Sequence, residues 1–442
     1  MNPIDLVQSL LGAAKRAGAD AADAVFVSGA SLSVQRRLGK TEHVERSEGR
    51  DLGLRVFVGQ RAAIVSSSTT DPAGFAALAE RAVAMARVVP EDPYACLFDP
   101  VAVEDPATLD IADGVEPDAA ALTERAAAAE DAALSVAGIT NTEGSEAGFG
   151  RSEAVLATSA GFVGRTVRSS HSVSATAIAG TGTAMQRDYD FHTAIYLADL
   201  EDAASIGLRA AERALARMNP TRPRTARVPV VLDPRVSSSM LGHLAGAING
   251  ASVTRGTTFL KDALGTRVMS AGIHIHDDPR RRRGLRSRTY DGEGVPTVPR
   301  AIIEDGVLTT WMLDLRSAKQ LGLQSTGHAA RGTGGPPSPA PTNLYMAAGH
   351  VTPAALMADI KLGLYVTEMI GMGVNGITGD YSRGAAGFMI RDGVLAEPVA
   401  EITIAGNLRD MFLALTPAND LVFRRGTDAP TLRIDGMTMA GA

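Results

Sequence analysis

The chain has 442 residues, of which 45% are hydrophobic, and a formal net charge of −6. This composition is typical of a globular protein with sizeable cores and excludes a disordered chain. The acidic balance gives no general basis for binding nucleic acid, whose binding proteins carry basic patches or stripes.

Length and residue usage set further limits. The usual domain size of about 150 residues predicts roughly three domains. The only cysteine, Cys96, excludes an intrachain disulfide and is typical of a reducing compartment. No run of about 18 apolar residues occurs, and the N-terminal segment has the pattern of an amphipathic helix instead of a signal peptide. We therefore expect a cytoplasmic protein that does not span a membrane.

Residues 1–95 form the first predicted domain, an α+β unit. Helical spacing of Leu6, Leu10 and Leu11 predicts a helix. A second, alanine-rich helix is predicted to start at Asp71-Pro72. Between them, strands are predicted at 24–27, 32–37 and 53–58, with turns at Gly29, Gly49 and Gly59.

Residues 96–225 form the second predicted domain. A helix over 117–136 is followed by short, glycine-separated strands in a meander or hairpins, and a helix over 200–218 closes the unit. Both domains place strands before an alanine-rich helix. This order raises the hypothesis of an internal duplication, although no sequence period is visible.

Residues 226–442 form the third predicted domain, which is rich in β structure. A continuous apolar run predicts a buried strand at 228–232, and Met240, Leu241 and Leu244 predict a helix over 237–248. Proline makes 331–341 an extended surface loop. Further strands are predicted at 300–303, 308–313, 388–390 and 401–404, with a final edge strand at the C-terminus. The predicted fold class is α+β, with a mixed α/β N-terminal part and a β-rich C-terminal domain.

The segment 376–412, GITGDYSRGAAGFMIRDGVLAEPVAEITIAGNLRDMF, carries the most specific pattern. Its glycines predict a short loop that displays Asp380, Tyr381, Ser382 and Arg383, followed by two strands joined at 391–393, the second ending at Asn407. Two interpretations stay open for the four loop residues. They bind peptide or shape a partner's cleft, or they form a structural turn in which Asp380 accepts backbone donors and Arg383 pairs with a carboxylate.

An ordered set of short motifs runs through almost the whole chain and resembles the PmbA/TldE branch of the TldD/PmbA family. The motifs are GRDLGLRVFVGQRAAIVSSS, ITNTEG, MQRDYDF, MLGHLAGAINGASV, YDGEGVPT, IIEDGVLTTWMLD, STGHA, PTNLYM, GDYSRGAAGF and EITIAGNL. The resemblance implies a three-part layout whose last part corresponds to the family's peptidase domain.

The resemblance also implies a missing zinc site. TldD-type subunits of this family are zinc peptidases with a His-Glu-x-x-x-His motif on a helix and a further cysteine ligand near the C-terminus. In the matching window, Leu241, Gly242 and Gly246 stand at the histidine, glutamate and histidine positions, and Cys96 lies far from the C-terminus. A catalytic zinc needs about three protein ligands. We therefore expect no metal ligand and no catalytic residue in this chain, with zinc held by a partner.

The expected function is that of a PmbA/TldE-like subunit, paired with a TldD-like zinc peptidase as a heterodimer or with itself as a homodimer. It would shape a cleft that holds unfolded peptide, without contacts to nucleic acid or membrane. The expected contact residues for peptide or partner are His243, Asp380, Tyr381, Ser382, Arg383 and Asn407.

Two alternatives stay open. One is an autonomous hydrolase with a nonstandard site built from His243, His274, His276 and carboxylates. The other is a non-enzymatic adaptor, in line with the family's label as modulators of DNA gyrase. The arginine run 280–283 is either a patch for nucleic acid or an acidic partner, or a solvated loop, and the solvated loop is favoured. Ser382 lacks the Gly-x-Ser-x-Gly context of a serine nucleophile.

Overall fold

A computed structural model describes residues 2–442. The α-helices are α1 (Pro3–Arg16), α2 (Phe75–Val88), α3 (Ala119–Leu134), α4 (Ala203–Ala216), α5 (Pro234–Ala247), α6 (Gly250–Thr254), α7 (Leu315–Leu321), α8 (Pro353–Met357) and α9 (Leu408–Leu413). The strands are β1 (Ala21–Arg37), β2 (Lys40–Val58), β3 (Arg61–Ser67), β4 (Ile139–Thr158), β5 (Val163–Ala179), β6 (Gln186–Ala194), β7 (Ala226–Leu232), β8 (Ile275–Asp277), β9 (Arg300–Glu304), β10 (Val307–Leu308), β11 (Ala329–Ala330), β12 (Ser338–Pro339), β13 (Leu344–Met346), β14 (Leu362–Ile370), β15 (Asp380–Arg391), β16 (Val394–Asn407), β17 (Leu415–Pro417), β18 (Thr427–Asp428) and β19 (Leu432–Ala440). The predicted α+β class is confirmed.

The first two predicted domains share one sheet. Its strand order is β3-β2-β1-β4-β5-β6, and neighbouring strands are antiparallel throughout. Each half consists of a helix, three strands and a second helix, in the same chain order. The sheet order is symmetric about the β1–β4 pair, which agrees with the hypothesis of an internal duplication.

Long strands replace the short ones predicted for this region. Gly29 and Gly49 are not turns, because they lie opposite each other in the β1–β2 ladder. The glycines at 148 and 150 likewise lie inside β4. The turn at Gly59 is confirmed, since β2 ends at Val58 and β3 begins at Arg61. A glycine inside a long twisted strand gives the same local signal as a turn glycine.

The C-terminal part contains a barrel-like sheet. Its order is β16-β15-β14-β7-β19-β17, and β16 also pairs with β19, which closes a ring of five strands. The C-terminal strand β19 is therefore not the predicted edge strand. Closure removes the unpaired edge that such a strand would otherwise expose. A second sheet has the order β10-β9-β8-β13-β18.

Helix α5 packs against the barrel through one continuous core. Met240, Leu241 and Leu244 of α5 are at most 1% exposed and belong to the same cluster as the inward side chains of β7, β14, β15, β16 and β19. The predicted strand over 308–313 is wrong beyond Leu308, because β10 ends there. Trp311, the only tryptophan, lies in this core and is 4% exposed.

Buried charges link the N-terminal sheet to the C-terminal part. Asp23 accepts hydrogen bonds from Arg55 and from Arg331, each at 2.5 Å, and Arg55 also lies 3.4 Å from Glu293. The side chain of Arg331 is only 2% exposed, so the segment 331–341 is anchored at its start and not a free surface loop. Within residues 2–442, every helix falls short of the length and hydrophobicity that crossing a bilayer requires.

Candidate functional site

Helix α5 carries the window that matches the family's zinc motif. Asp233 caps its N-terminus by accepting the N–H of Arg235 at 2.9 Å, and Pro234 occupies the first turn. Leu241 points into the core and is 0% exposed. Gly242 and Gly246 are four residues apart, so they lie on one face of the helix, and both are exposed.

The two glycines form the floor of a cavity of about 330 Å³. We call it the glycine groove, and its lining residues are Gly242, His243, Gly246, Ala247, Ser252, Thr257, Phe259, Met372, Val374, Gly376, Arg383 and Leu408. A Cβ atom placed on Gly242 or Gly246 would meet no atom within 4 Å. The helix backbone therefore faces open space at these two positions, and packing does not require glycine there.

His243 and Arg383 supply the polar chemistry of the groove. The Nε2 atom of His243 and the Nε atom of Arg383 are buried and have no hydrogen-bond partner among residues 2–442. Burial, and then the positive charge of Arg383, hold the pKa of His243 below its ordinary value. The imidazole is therefore mainly neutral at pH 7, and its Nε2 atom is shielded from solvent.

Tyr381 packs against the imidazole of His243. Its ring meets the imidazole edge to face at 5.7 Å between centroids, and its side chain belongs to the core, with 2% exposure. Burial raises the pKa of Tyr381 to about 12, so the phenol stays protonated. The hydroxyl donates to the Sδ atom of Met369 at 2.9 Å. Tyr381 thus fixes the imidazole and does not line the groove.

The predicted loop at Asp380–Arg383 is wrong, because these four residues begin β15. They pair with the end of β16, and Asp380 lies opposite Asn407. Of the six expected contact residues, only His243 and Arg383 line the glycine groove. The turn that joins β15 to β16 at Asp392-Gly393 is where the sequence predicts it.

Asp380 and Asn407 form a hydrogen-bonded corner beside the groove. The Nδ2 atom of Asn407 donates to Asp380 Oδ1 at 3.2 Å and to the carbonyl of Thr378 at 3.1 Å. Its Oδ1 atom accepts the N–H of Arg409 at 3.0 Å, which caps α9. Ser382 is exposed and its N–H donates to the carbonyl of Gly373 at 2.7 Å. These contacts hold the loop 371–379 against β15.

The loop 371–379 is the part of the groove that sequence reasoning missed. Met372 is 90% exposed, and Ile370 and Ile377 beside it are 61% and 59% exposed. Gly373 approaches the carbonyl of Ser382 so closely that a Cβ atom would overlap it. The dense glycines of GMGVNGITG signal a tight loop, but they do not reveal that it folds back over α5.

The residues present do not fit a zinc ion. Leu241 has a hydrocarbon side chain that faces the core. Gly242 and Gly246, which have no side chain, stand where a glutamate and a histidine would be needed. Cys96 is outside the groove, and burial raises the pKa of its thiol, which opposes the thiolate form that binds metal. Within the described part of the chain, no three His, Cys, Asp or Glu side chains come together in a way that could hold a metal ion.

Three other histidines that could belong to a nonstandard site lie outside the groove. His274 and His276 stack with their ring centroids 6.5 Å apart. His328 is 2% exposed and hydrogen bonds to Asp277 at 3.1 Å and to Thr326 at 2.7 Å. Neither His274, His276 nor His328 lines the glycine groove. A nonstandard site that joins His243 to the His274–His276 pair is therefore not assembled at this groove.

Two larger depressions, of about 530 and 690 Å³, lie on the N-terminal sheet around Gly29, Arg50 and Arg151. Their lining contains neither histidine nor cysteine. The glycine groove is smaller but combines the motif window, unpartnered polar atoms and exposed apolar side chains. We therefore take it as the candidate functional site.

Comparison with known proteins places the whole chain in one group. Models of the PmbA/TldA metallopeptidase family match domain 1 at residues 22–86, the central domain at 112–218 and the C-terminal domain at 225–441. Metalloprotease PmbA of Escherichia coli O157:H7 is 36% identical over 425 residues, which cover 96% of this chain and 92% of the relative.

Two solved structures have the same fold. A Bacteroides thetaiotaomicron protein, named as a proposed modulator of DNA gyrase, superposes with a TM-score of 0.86 at 26% identity, covering 99% of this chain and 98% of its own. TldE from Thermococcus kodakarensis gives a TM-score of 0.87 at 20% identity, covering 98% of this chain and 99% of its own. The second likeness establishes the fold alone.

Proposed function

The chain belongs to the PmbA/TldD metallopeptidase family, also written PmbA/TldA, and from that premise we propose that it is a PmbA/TldE-type subunit of a two-component zinc metallopeptidase. In this proposal a TldD-type partner supplies the zinc, the activated water and the general base. This chain supplies one wall of the cleft that holds unfolded peptide. The name TldE of the Thermococcus kodakarensis structure is compatible with such a pairing.

The observation that carries the proposal is the bare face of α5. Gly242 and Gly246 stand where the resemblance places the glutamate base and a zinc ligand, and both face open space. Leu241, at the remaining ligand position, is closed off in the core. His243 is the only imidazole that lines this groove, and no carboxylate or thiolate lines it, so the groove lacks the roughly three ligands that a catalytic zinc needs. The bare face can let another chain approach the helix backbone closely.

The groove has the chemistry for holding a peptide backbone. The side chains of His243 and Arg383 line the groove and offer hydrogen-bonding groups to peptide amides. A hydrogen bond to a charged group such as the Arg383 guanidinium contributes about 1.5–3 kcal/mol. Recognition through backbone groups tolerates many sequences, as an unfolded substrate requires.

The exposed apolar side chains next to the groove fit a partner contact. Ile370, Met372 and Ile377 lie on or next to the loop 371–379 that borders the groove, and each is more than half exposed. Burial of such side chains stabilises an association by roughly 1.5–3 kcal/mol each when it is complete. A TldD-type subunit seated on this loop would close the groove into a cleft.

The test is reconstitution with a TldD-type subunit. We expect peptide cleavage from the mixture and none from this chain alone. The variant Gly246→Leu fills the groove and should lower cleavage without preventing the two subunits from co-eluting. The matched control is Gly12→Leu in α1, where a Cβ atom meets only the flexible end of Arg16. Cleavage by the isolated chain supports an autonomous hydrolase instead, and co-purification with a topoisomerase without a peptidase supports the adaptor.

A further inference from the structure

A second cavity, of about 290 Å³, lies where β6, the segment 281–285 and the segment 423–428 meet. We call it the arginine pocket. Its charged lining residues are Asp199, Arg281, Arg282, Arg283, Arg424, Arg425 and Asp428. Five arginines thus face one small cavity with two aspartates, in a chain whose net charge is −6. The arginine run 280–283 is therefore not a freely solvated loop.

Three of the five arginines are neutralised. Arg282 and Arg283 pair with Asp110 at 3.0 and 2.7 Å, and Arg283 also pairs with Asp199 at 2.9 Å. Arg424 pairs with Glu201 at 2.8 Å. These contacts fix the walls of the pocket. They do not involve the guanidinium groups of Arg281 and Arg425.

Asp428 places one negative charge near both arginines, but its carboxylate oxygens are oriented by backbone N–H groups. It accepts the N–H groups of Arg424 and Arg425 at 2.9 Å each and that of Gly426 at 3.2 Å. These bonds shape the turn that presents Arg425 to the pocket. Among residues 2–442, the Asp428 carboxylate forms no salt bridge with Arg281 or Arg425, and its single charge cannot neutralise both.

Arg281 and Arg425 keep unpaired positive charge. The Arg281 guanidinium lies 3.2 Å above the ring of Phe423 and makes no hydrogen bond or salt bridge within the described chain. Arg425 donates only to the backbone carbonyls of Pro234 and Arg235, at 3.3 and 3.1 Å. Burial has the largest effect on the pKa of both groups and lowers it, while the negative charge of Asp428 acts in the opposite direction.

The fork of N–H donors on a guanidinium matches the oxygens of a phosphate or carboxylate, and a cavity with an excess of positive charge attracts anions. We propose that the arginine pocket binds a small multivalent oxyanion, whose phosphate or carboxylate groups pair with Arg281 and Arg425. The lining residues named here are all absent from the glycine groove, so this site does not depend on the proposed peptidase role.

The experiment is calorimetric titration of the full chain with inorganic pyrophosphate and, separately, with citrate. The variants are Arg281→Gln and Arg425→Gln. The control is Arg267→Gln, which removes an exposed arginine paired with Asp305 outside the pocket. Thermal unfolding of each variant checks that it is folded. Because neither Arg281 nor Arg425 has a carboxylate partner, both variants are expected to fold.

We expect saturable binding of either probe to the wild-type chain. Each pocket variant should weaken the affinity about 10- to 100-fold, because it loses a charge-assisted hydrogen bond. The control variant should bind with unchanged affinity. Binding of pyrophosphate alone assigns a phosphate ligand, and binding of citrate alone assigns a carboxylate ligand. Absence of saturable binding by both probes, or equal binding to wild type and both pocket variants, overturns the proposal.

Discussion

Replacing both groove glycines with alanine should make the protein more stable. Gly242 lies inside α5, where glycine is about 0.8–1 kcal/mol less favourable than alanine. Gly246 is next to the last residue of the helix, where fraying reduces the gain to about 0.5 kcal/mol. Because a Cβ atom at either position meets nothing within 4 Å, no steric term opposes these gains. The double variant should therefore gain about 1.5 kcal/mol in unfolding free energy.

Trp311 makes this gain measurable. It is the only tryptophan and belongs to the same core as α5, so its fluorescence reports unfolding of that part. With a urea dependence of about 2 kcal/mol per molar, the midpoint should rise by about 0.7 M at an unchanged slope. A midpoint equal to or below that of wild type would refute the conclusion that packing does not require these glycines.

A glycine in another helix provides the contrast. A Cβ atom on Gly207 of α4 would overlap the carbonyl oxygen of Ala129 in α3. Gly207→Ala should therefore destabilise the N-terminal sheet by about 1–3 kcal/mol, measured by circular dichroism in urea. In the reconstituted peptidase, the stabilised Gly242→Ala, Gly246→Ala variant should cleave peptide more slowly. A stability gain with a loss of activity would indicate that the bare face is kept for function.

Two further predictions concern buried charge. Burial raises the pKa of Glu293 to about 7, above its value in the unfolded chain, so its stabilising contribution is present at acidic pH and is lost as pH rises through about 7. Relative to Glu293→Gln, the wild type should lose up to about 3 kcal/mol of unfolding free energy between pH 5 and 8; a constant difference would contradict this assignment. Asp188→Asn leaves Arg235, with 8% side-chain exposure, and Arg217, with 11%, without their shared carboxylate. Because Arg217 keeps its pair with Glu368 and Arg235 keeps its pair with Asp233, urea unfolding should show a loss of about 1–3 kcal/mol. Glu397→Gln, in an exposed pair with Arg391, should change stability by less than about 1 kcal/mol. A small effect of Asp188→Asn would show that the network is not needed.

Local signals in the sequence predict the five longest helices, α1 to α5, well. Asp71-Pro72 precedes α2, Asp118 caps α3, and the apolar spacing of Met240, Leu241 and Leu244 gives the buried face of α5. Strand lengths and strand pairing are harder to predict from local sequence, because they depend on residues far apart in the chain. Gly29 is inside a strand because Gly49 pairs with it, and β19 closes the barrel because it pairs with β16.

The same limit applies to the site. The motif window 241–246 identified α5, but only the fold shows that Gly242 and Gly246 are exposed while Leu241 is buried. The pattern around Asp380 was interpreted as a loop because its glycines permit one. The pairing of Asp380 with Asn407 makes it a strand instead. The loop 371–379 joins the groove through contacts that no local pattern encodes.

The most direct test is the zinc content and peptidase activity of this chain purified alone, measured beside its mixture with a TldD-type subunit. We predict substoichiometric zinc and no cleavage for the isolated chain, with chelator-sensitive cleavage only in the mixture. One tightly bound zinc ion per isolated chain, together with chelator-sensitive cleavage, would contradict the account.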